Sequence, residues 1–136
     1  MEITKISIYS NRQKLNRLDY LDEVEQTLTI LINGDVYLDT VIYGEGYGQY
    51  KDGRHEMIYI GDQGFEIIKY ISLYFAKYGS WGIVPGLGSW RLTMTDAEGK
   101  DYMYYGSLTG AHNDLTHFIR ERVSFDDLCI FSRYPY

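Results

Sequence analysis

Alternating apolar and polar positions dominate the first third of the chain and predict β-structure. Residues 3–9 alternate, with Ile6 and Ile8 on one face, as expected for a half-buried strand. A second alternating stretch runs from Val24 to Tyr43 and is interrupted only at Asn33-Gly34, a dipeptide typical of hairpin turns. The pattern therefore predicts an N-terminal strand followed by a β-hairpin.

The alternation also predicts the loop of this hairpin. A two-residue loop would place Asp39 opposite Leu28, which mixes an acid into the apolar face. A three-residue loop ending at the glycine instead pairs Leu28 with Leu38 and continues the apolar face to a pair between Val24 and Ile42. We therefore predict the three-residue loop, in which glycine supplies the positive φ of the last position.

The middle of the chain changes to a helical pattern. A short strand over 56–60 precedes a helix that begins after Asp62 and ends at Gly79. Apolar side chains cover more than half of the circumference of this helix, which is wider than one sheet face can bury. We therefore expect a second helix, the loops or another subunit to cover the remainder, so that a monomer and a homodimer are both open.

The C-terminal third predicts a second hairpin and a second helix. A loop over 97–99 places Trp90, Leu92 and Met94 on the same face as Tyr102 and Tyr104. An amphipathic helix follows over 113–123, and 125–131 is expected to be a last strand or a docking segment. The whole chain is thus predicted to be a single α+β domain, with an antiparallel, meander-like sheet of five or six strands packed with two helices.

One motif in this third carries a resemblance. The pattern is Trp90-x-Leu92-x-Met94-x-Asp96-x-x-Gly99-x-x-Tyr102-x-Tyr104-x-Gly106-Ser107, followed by Asp114-Leu115, Ile119-Arg120, Asp127-Leu128 and Phe131. It resembles a group of small proteins from Firmicutes and gut-bacterial genomes. The resemblance implies a bacterial or mobile-element setting and carries over no site residue.

Charge and composition narrow the functional classes. The net charge is −6, and residues 1–68 hold all of the excess acid, with twelve Asp and Glu against six Lys and Arg. This distribution argues against direct binding of nucleic acid, which depends on neutralising phosphates with Lys and Arg. Fifteen tyrosines favour half-exposed contact surfaces, because Tyr combines apolar area with a hydroxyl, although Tyr is also a good strand former.

Candidate chemistry is sparse. The triplet Gly44-x-Gly46-x-Gly48 lacks the spacing and the following helix of a dinucleotide site. His112 and His117 are five residues apart, so on a helix they do not share a face for a metal ion. Cys129 lies in an apolar setting that favours core packing. The sequence therefore predicts no catalytic residue, no cofactor and no metal.

The lone cysteine and the N-terminal residues also bear on location. A single cysteine cannot form an internal disulfide, and the N-terminal residues lack the basic and apolar pattern of a signal peptide. No apolar run approaches the length of a membrane span. The sequence thus predicts a cytoplasmic protein that does not engage a membrane.

We therefore expect a non-enzymatic binding module that engages another protein with a basic surface. Tyrosines would supply the contacts and acids the steering. One alternative is a phage or mobile-element inhibitor that occupies the basic groove of a nucleic-acid-binding defence nuclease. Another is an enzyme or small-molecule binder with a pocket under the loops Gly44–Gly53 and Gly79–Ser89. The predicted interface comprises Asp19, Asp22, Glu23, Glu25, Tyr37, Asp39, Tyr43, Tyr47 and Tyr50.

Overall fold

The structure is a computed structural model that describes residues 2–12, 23–44, 50–78, 88–109 and 112–132. These residues form one sheet and two helices, as the sequence predicts. In chain order the elements are β1 (Ile3–Asn11), β2 (Glu23–Leu31), β3 (Asp35–Ile42), β4 (Lys51–Tyr59), α1 (Gln63–Tyr78), β5 (Ser89–Asp96), β6 (Asp101–Ser107) and α2 (Asn113–Arg120).

The six strands form an antiparallel sheet in the order β4-β3-β2-β1-β5-β6. The first four strands follow one another as a meander, and the chain then returns through α1 to place β5 beside β1. The predicted α+β architecture is confirmed, with six strands rather than five. Because β1 lies between the two hairpins, the earliest strand is central in the finished sheet.

The predicted register of the first hairpin is confirmed over most of its length. Leu28 pairs with Leu38, and the loop ends at Gly34, whose φ is 101°. A Cβ on Gly34 would lie 2.5 Å from the carbonyl oxygen of Gly61, so only glycine fits this close contact before α1. The second hairpin also has the predicted loop, with Met94 opposite Tyr102.

One face of the sheet, called here the inner face, packs on both helices and forms the core. Two apolar rows cross the sheet on this face, followed by a third row that is polar until it reaches Trp90. The rows contain Val36, Ile30, Ile6 and Met94; Leu38, Leu28, Ile8 and Leu92; and Thr40, Gln26, Ser10 and Trp90.

Helix α1 buries Ile67, Ile71 and Phe75 in this core. Tyr70, on its flank, stacks on Phe118 of α2 with ring centroids 4.2 Å apart. The second helix therefore covers part of the surplus apolar surface of α1, as one of the predicted alternatives requires. It does not cover all of it, because Leu73 remains 64% exposed.

The structure corrects three predicted boundaries. β4 begins at Lys51 rather than at Glu56, because the charged residues before Glu56 form an edge strand that has no apolar alternation to reveal it. α2 ends at Arg120, before the predicted Val123. Residues 125–131 contain turns and no strand, so the docking-segment alternative is the correct one.

That docking segment is held by its backbone. Five successive carbonyl oxygens, those of residues 126–130, accept hydrogen bonds from side chains elsewhere in the fold, at distances of 2.5 to 3.2 Å. Asp127 and Ile130 have φ values of 57° and 59°, which are unfavourable for residues with a Cβ. The donors are Arg54 to Asp126, Gln26 to Asp127, Arg120 to Leu128 and Cys129, and Ser10 to Ile130.

Candidate functional site

The sheet face opposite the helices is the candidate site, and it is called here the open face. Strand alternation directs to it the side chains that lie between those of the core rows, and neither α1 nor α2 packs on it. Its middle row crosses all six strands and has large apolar side chains at its two ends and small hydroxyl side chains near its centre. In order, this row contains Met57, Tyr37, Thr29, Ser7, Thr93 and Met103.

Tyr37 and Asp39, two residues of the predicted interface, lie side by side on β3 and point to the open face. Tyr37 is 36% exposed, and Asp39 is also exposed. His55 on β4 lies opposite Asp39, with Nδ1 2.7 Å from a carboxylate oxygen. This hydrogen bond raises the pKa of His55, so its imidazole is protonated more often than that of a free histidine.

Glu25 also points to the open face, where it accepts a hydrogen bond from the hydroxyl of Tyr9 on β1. Burial and this carboxylate raise the pKa of Tyr9 to about 12, so the phenol stays neutral. The guanidinium of Arg91 on β5 lies 5.0 Å from the centre of the Tyr9 ring, within the range of cation–π attraction. The open face therefore carries the acids Glu25 and Asp39 on β2 and β3, and the base Arg91 on β5.

Tyr43 and Tyr50 lie beyond the ends of β3 and β4, with ring centroids 6.1 Å apart. This separation is within the range of aromatic pairing, and Tyr50 is exposed. The structure therefore brings these two predicted tyrosines together next to the sheet. The other predicted interface residues, Asp19, Asp22 and Tyr47, lie outside the described residues.

The structure corrects the prediction for Glu23, which was expected to be an exposed acid of the interface. The register between β2 and β3 shifts between Glu23 and Glu25, so that Glu23 lies opposite Ile42, where Val24 was predicted. This bulge turns Glu23 towards the inner side, where Arg54 donates two hydrogen bonds to its carboxylate, each of 2.8 Å. The Glu23 side chain is only 15% exposed.

A polar network surrounds that ion pair. Thr40 and Gln26 also donate to the Glu23 carboxylate, at 2.8 and 3.1 Å. Burial alone would raise the pKa of Glu23, but the hydrogen bonds, led by that from Arg54, outweigh burial and hold the pKa below its ordinary value. A carboxylate held ionised and saturated with donors is a poor general base, so this network has a structural role.

Sequence reasoning missed several residues of the open face, namely Tyr9, Met57, Arg91, Met103 and Tyr105. Their alternation was visible within each strand, but the order of the strands was not. The crossover through α1 decides that the second hairpin joins β1 rather than β4, and it thereby places Arg91 beside Tyr9.

A pocket of about 390 Å³ lies beside α2, on the other side of the molecule. Its basic side chains already have partners, because Arg120 donates to the carbonyl oxygens of the docking segment and His117 lies 2.5 Å from Glu121. Among the described residues, no three His, Cys, Asp or Glu side chains are grouped as metal ligands. The alternative pocket under the glycine loops falls largely on 45–49 and 79–87, outside the described residues.

Two further findings bear on the class of protein. The chain matches no protein-family model and no curated protein. Neither of the helices in the described parts of the chain has the length and apolar character needed to cross a bilayer.

Proposed function

We propose that the protein is a non-enzymatic binding module that engages another protein through the open face. The observation that carries this proposal is the pair of exposed side chains Tyr37 and Asp39 on a broad sheet face that neither helix covers. A sheet face of six strands, with neighbouring strands about 4.8 Å apart, is wide enough for a protein partner.

The side chains of this face suit a protein partner. Tyr37 offers a ring and a hydroxyl with little rotational freedom to lose, and the exposed Met57 beside it can adapt to the shape of a partner. Thr27 and Thr29 provide hydroxyls between these larger groups. Aromatic anchors surrounded by small polar groups are typical of the energetically important part of an interface.

Charge favours a partner with a basic surface. Glu25, Asp35 and Asp39 lie on the β2–β3 side of the open face, and the chain as a whole carries a charge of −6. Opposite charges attract over about 8 Å at physiological salt, so the acids would act mainly on the rate of encounter. A basic groove, such as that of a nuclease, is the narrower form of this proposal.

The test measures association and dissociation rates with a partner recovered from the host and then purified. We expect Asp39→Asn to slow association about twofold and to flatten its salt dependence. Tyr37→Ala should speed dissociation about tenfold, while Tyr37→Phe should retain most of the binding.

Leu73→Ala is the matched control, because Leu73 is exposed on α1, on the opposite side of the sheet. It should leave both rates unchanged. A partner whose rates respond to Leu73 but not to Tyr37 or Asp39 would contradict the open face as the binding surface.

A further inference from the structure

Opposite charges are separated on the open face. On the four inner strands of the sheet, the acids of this face lie on β2 and β3, and its bases lie on β1 and β5. The acids are Glu25, Asp35 and Asp39, and the bases are Lys5 and Arg91. The boundary between the two groups runs between β1 and β2, which is the middle of the six-stranded sheet.

Side-chain size is also symmetrical about the middle of the open face. Met57 and Met103 stand at the two ends of the middle row and are 56% and 57% exposed. Thr29 and Ser7, on the two central strands, are small, so another surface can approach them closely. A face whose halves match in size and differ in charge is complementary to a copy of itself rotated by 180°.

We propose that the open face also packs on the open face of a second copy, about a two-fold axis that is parallel to the strands and lies between β1 and β2. Two sheets packed face to face lie about 10 Å apart, with their strands within about 30° of one another. This axis places β2 over β1, β3 over β5 and β4 over β6 of the second copy. The dimer uses the face of the proposed function but does not rest on that function, and the second copy competes with any other partner.

The rotation places opposite charges together. Because the axis is parallel to the strands, each row of side chains faces the same row of the second copy. Asp39 and Arg91 share one row, which runs through Thr27 and Tyr9. Each Asp39 therefore lies opposite Arg91 of the second copy, and this contact occurs twice. The Asp39 side chain is 55% exposed, although one of its oxygens contacts His55.

The other rows fit the same axis. Lys5 lies opposite Leu31 of the second copy, next to Asp35, and Asp101 lies opposite Tyr59. Among the described strand residues of the open face, no like charges lie opposite one another. The middle row joins Met57 with Met103, Tyr37 with Thr93, and Thr29 with Ser7.

An axis perpendicular to the strands is disfavoured. It would place each strand over its own copy, so that the acids on β2 and β3 meet acids. If β3 is turned about Tyr37, for example, Asp39 lies opposite Asp35 of the second copy. Like charges facing one another across an interface strongly oppose binding, so charge selects the parallel axis.

The area of the face suits a reversible dimer. Five strand spacings of about 4.8 Å and three rows about 7 Å apart give roughly 24 by 14 Å between the outermost side chains. This area lies at the lower end of specific protein interfaces. The net charge of −6 on each copy does not prevent association, because exposed charges more than about 8 Å apart are largely screened at physiological salt.

The test follows the mass of the full chain, with no other protein present, by sedimentation over roughly a hundredfold range of concentration. The wild type should shift from monomer to dimer. Asp39→Arg and Arg91→Asp should each weaken the dimer about tenfold or more, because each places like charges opposite one another at two points. An equimolar mixture of the two variants should dimerise again, since each charge of one variant then faces the opposite charge of the other.

Two further variants test the ends of the middle row. Met57 and Met103 are more than half exposed, so lysine at either position leaves the core intact. Met57→Lys and Met103→Lys should weaken the dimer to a similar extent, about threefold or more, because the two methionines lie opposite one another. Leu73→Lys is the control, since Leu73 is 64% exposed on α1, and it should dimerise as the wild type does.

Several outcomes would overturn the dimer. A wild type that stays monomeric throughout the series would do so, as would a dimer that Leu73→Lys disrupts or that both methionine variants leave unchanged. A mixture of Asp39→Arg and Arg91→Asp that fails to associate, although both variants keep the far-UV circular dichroism of the wild type, would also overturn it.

The dimer and the proposed function can fail separately. Arg91 lies apart from the acids that steer a basic partner, so the monomeric Arg91→Asp chain should still bind such a partner at the open face. A wild-type dimer combined with a partner that ignores Tyr37 and Asp39 would remove only the proposed function. Partner binding at the open face by a strictly monomeric wild type would remove only the dimer.

Discussion

At the scale of single residues, the position of a charge depends on backbone detail that the sequence does not display. Glu23 and Glu25 are two positions apart, so strict alternation would place both on the open face. One extra residue in β2 turns the Glu23 side chain to the inner face, where it contacts Arg54, whereas Glu25 stays on the open face. The same chemical group therefore joins an ion-pair network on the inner face at one position and lies on the open face at the other.

Glu23→Gln should destabilise the protein by about 2–3 kcal/mol, because it leaves the half-buried guanidinium of Arg54 without its main countercharge. Glu56→Gln is the control, since Glu56 contacts the same arginine at 3.2 Å but is 48% exposed. Its cost should stay below about 1 kcal/mol in urea unfolding. Equal costs would show that the Glu23 pair is not structural.

His112 should make stability depend on pH. It is buried among Phe75, Trp90 and Phe131, and burial lowers its pKa from the ordinary value of 6.5. Since the unfolded chain takes up the proton more readily, this contribution to stability is present above pH 6.5 and is lost as the pH falls below it.

Urea unfolding at about pH 7.5 and pH 5.5 should therefore show a loss that His112→Gln reduces. His117→Gln, a change at the exposed histidine of α2, serves as the control and should retain the loss. A loss of the same size in all three proteins would assign it to other groups.

At the scale of elements, each hairpin was predictable from its own alternation, whereas the edge strand and the docking segment were not. β4 has a polar, charged beginning whose pairing follows from β3 rather than from its own residues. The docking segment has no periodicity, because its conformation is imposed by donors that are distant in sequence, such as Ser10 and Gln26. The pattern of apolar and polar residues within a short segment carries no information about contacts between residues more than 100 positions apart.

The hairpin register has a direct mutational consequence. Leu38 is fully buried in the inner face, and its neighbour Asp39 is exposed on the open face. Leu38→Ala should therefore cost about 2–5 kcal/mol, and Asp39→Ala less than about 1 kcal/mol. Urea unfolding measures both, and similar costs would mean that the register is shifted by one residue.

The docking segment offers a matched pair of adjacent aspartates. Asp127 has a φ of 57°, so Asp127→Gly should stabilise the protein by about 0.5–1 kcal/mol through relief of backbone strain. Asp126 does not share this conformation, and Asp126→Gly should destabilise by a similar amount, because glycine loses more freedom on folding. Thermal unfolding of the two variants should shift in opposite directions, and a shift in the same direction would contradict the assigned backbone strain.

At the scale of the whole molecule, the sheet, the helices and the core were predictable, whereas the proposed binding surface was only partly so. Tyr37 and Asp39 were expected at an interface because they share one face of one hairpin. The neighbours that widen this surface, Tyr9 and Arg91, come from strands that only the crossover brings together. A surface built by several strands is a property of topology, which short patterns do not encode.

A chain ending at residue 124 should lose its fixed tertiary structure while keeping much of its secondary structure. It lacks Phe131, which packs against Trp90 at 4.8 Å, and it leaves Gln26 and Ser10 without the carbonyl partners that they bind. Near-UV circular dichroism should therefore vanish while the far-UV signal persists. Phe131→Ala in the full chain should retain the near-UV signal, because the backbone hydrogen bonds of the docking segment remain.

The hydrogen bond between Ser10 and Ile130 also affects when the fold can be completed during synthesis. These residues are 120 positions apart, and a ribosome adding roughly 5–20 residues per second needs on the order of 10 seconds to make the chain between them. Until the docking segment is made, Ser10 and Gln26 lack the carbonyl oxygens that they bind in the finished fold, although β1 and β2 have already been synthesised.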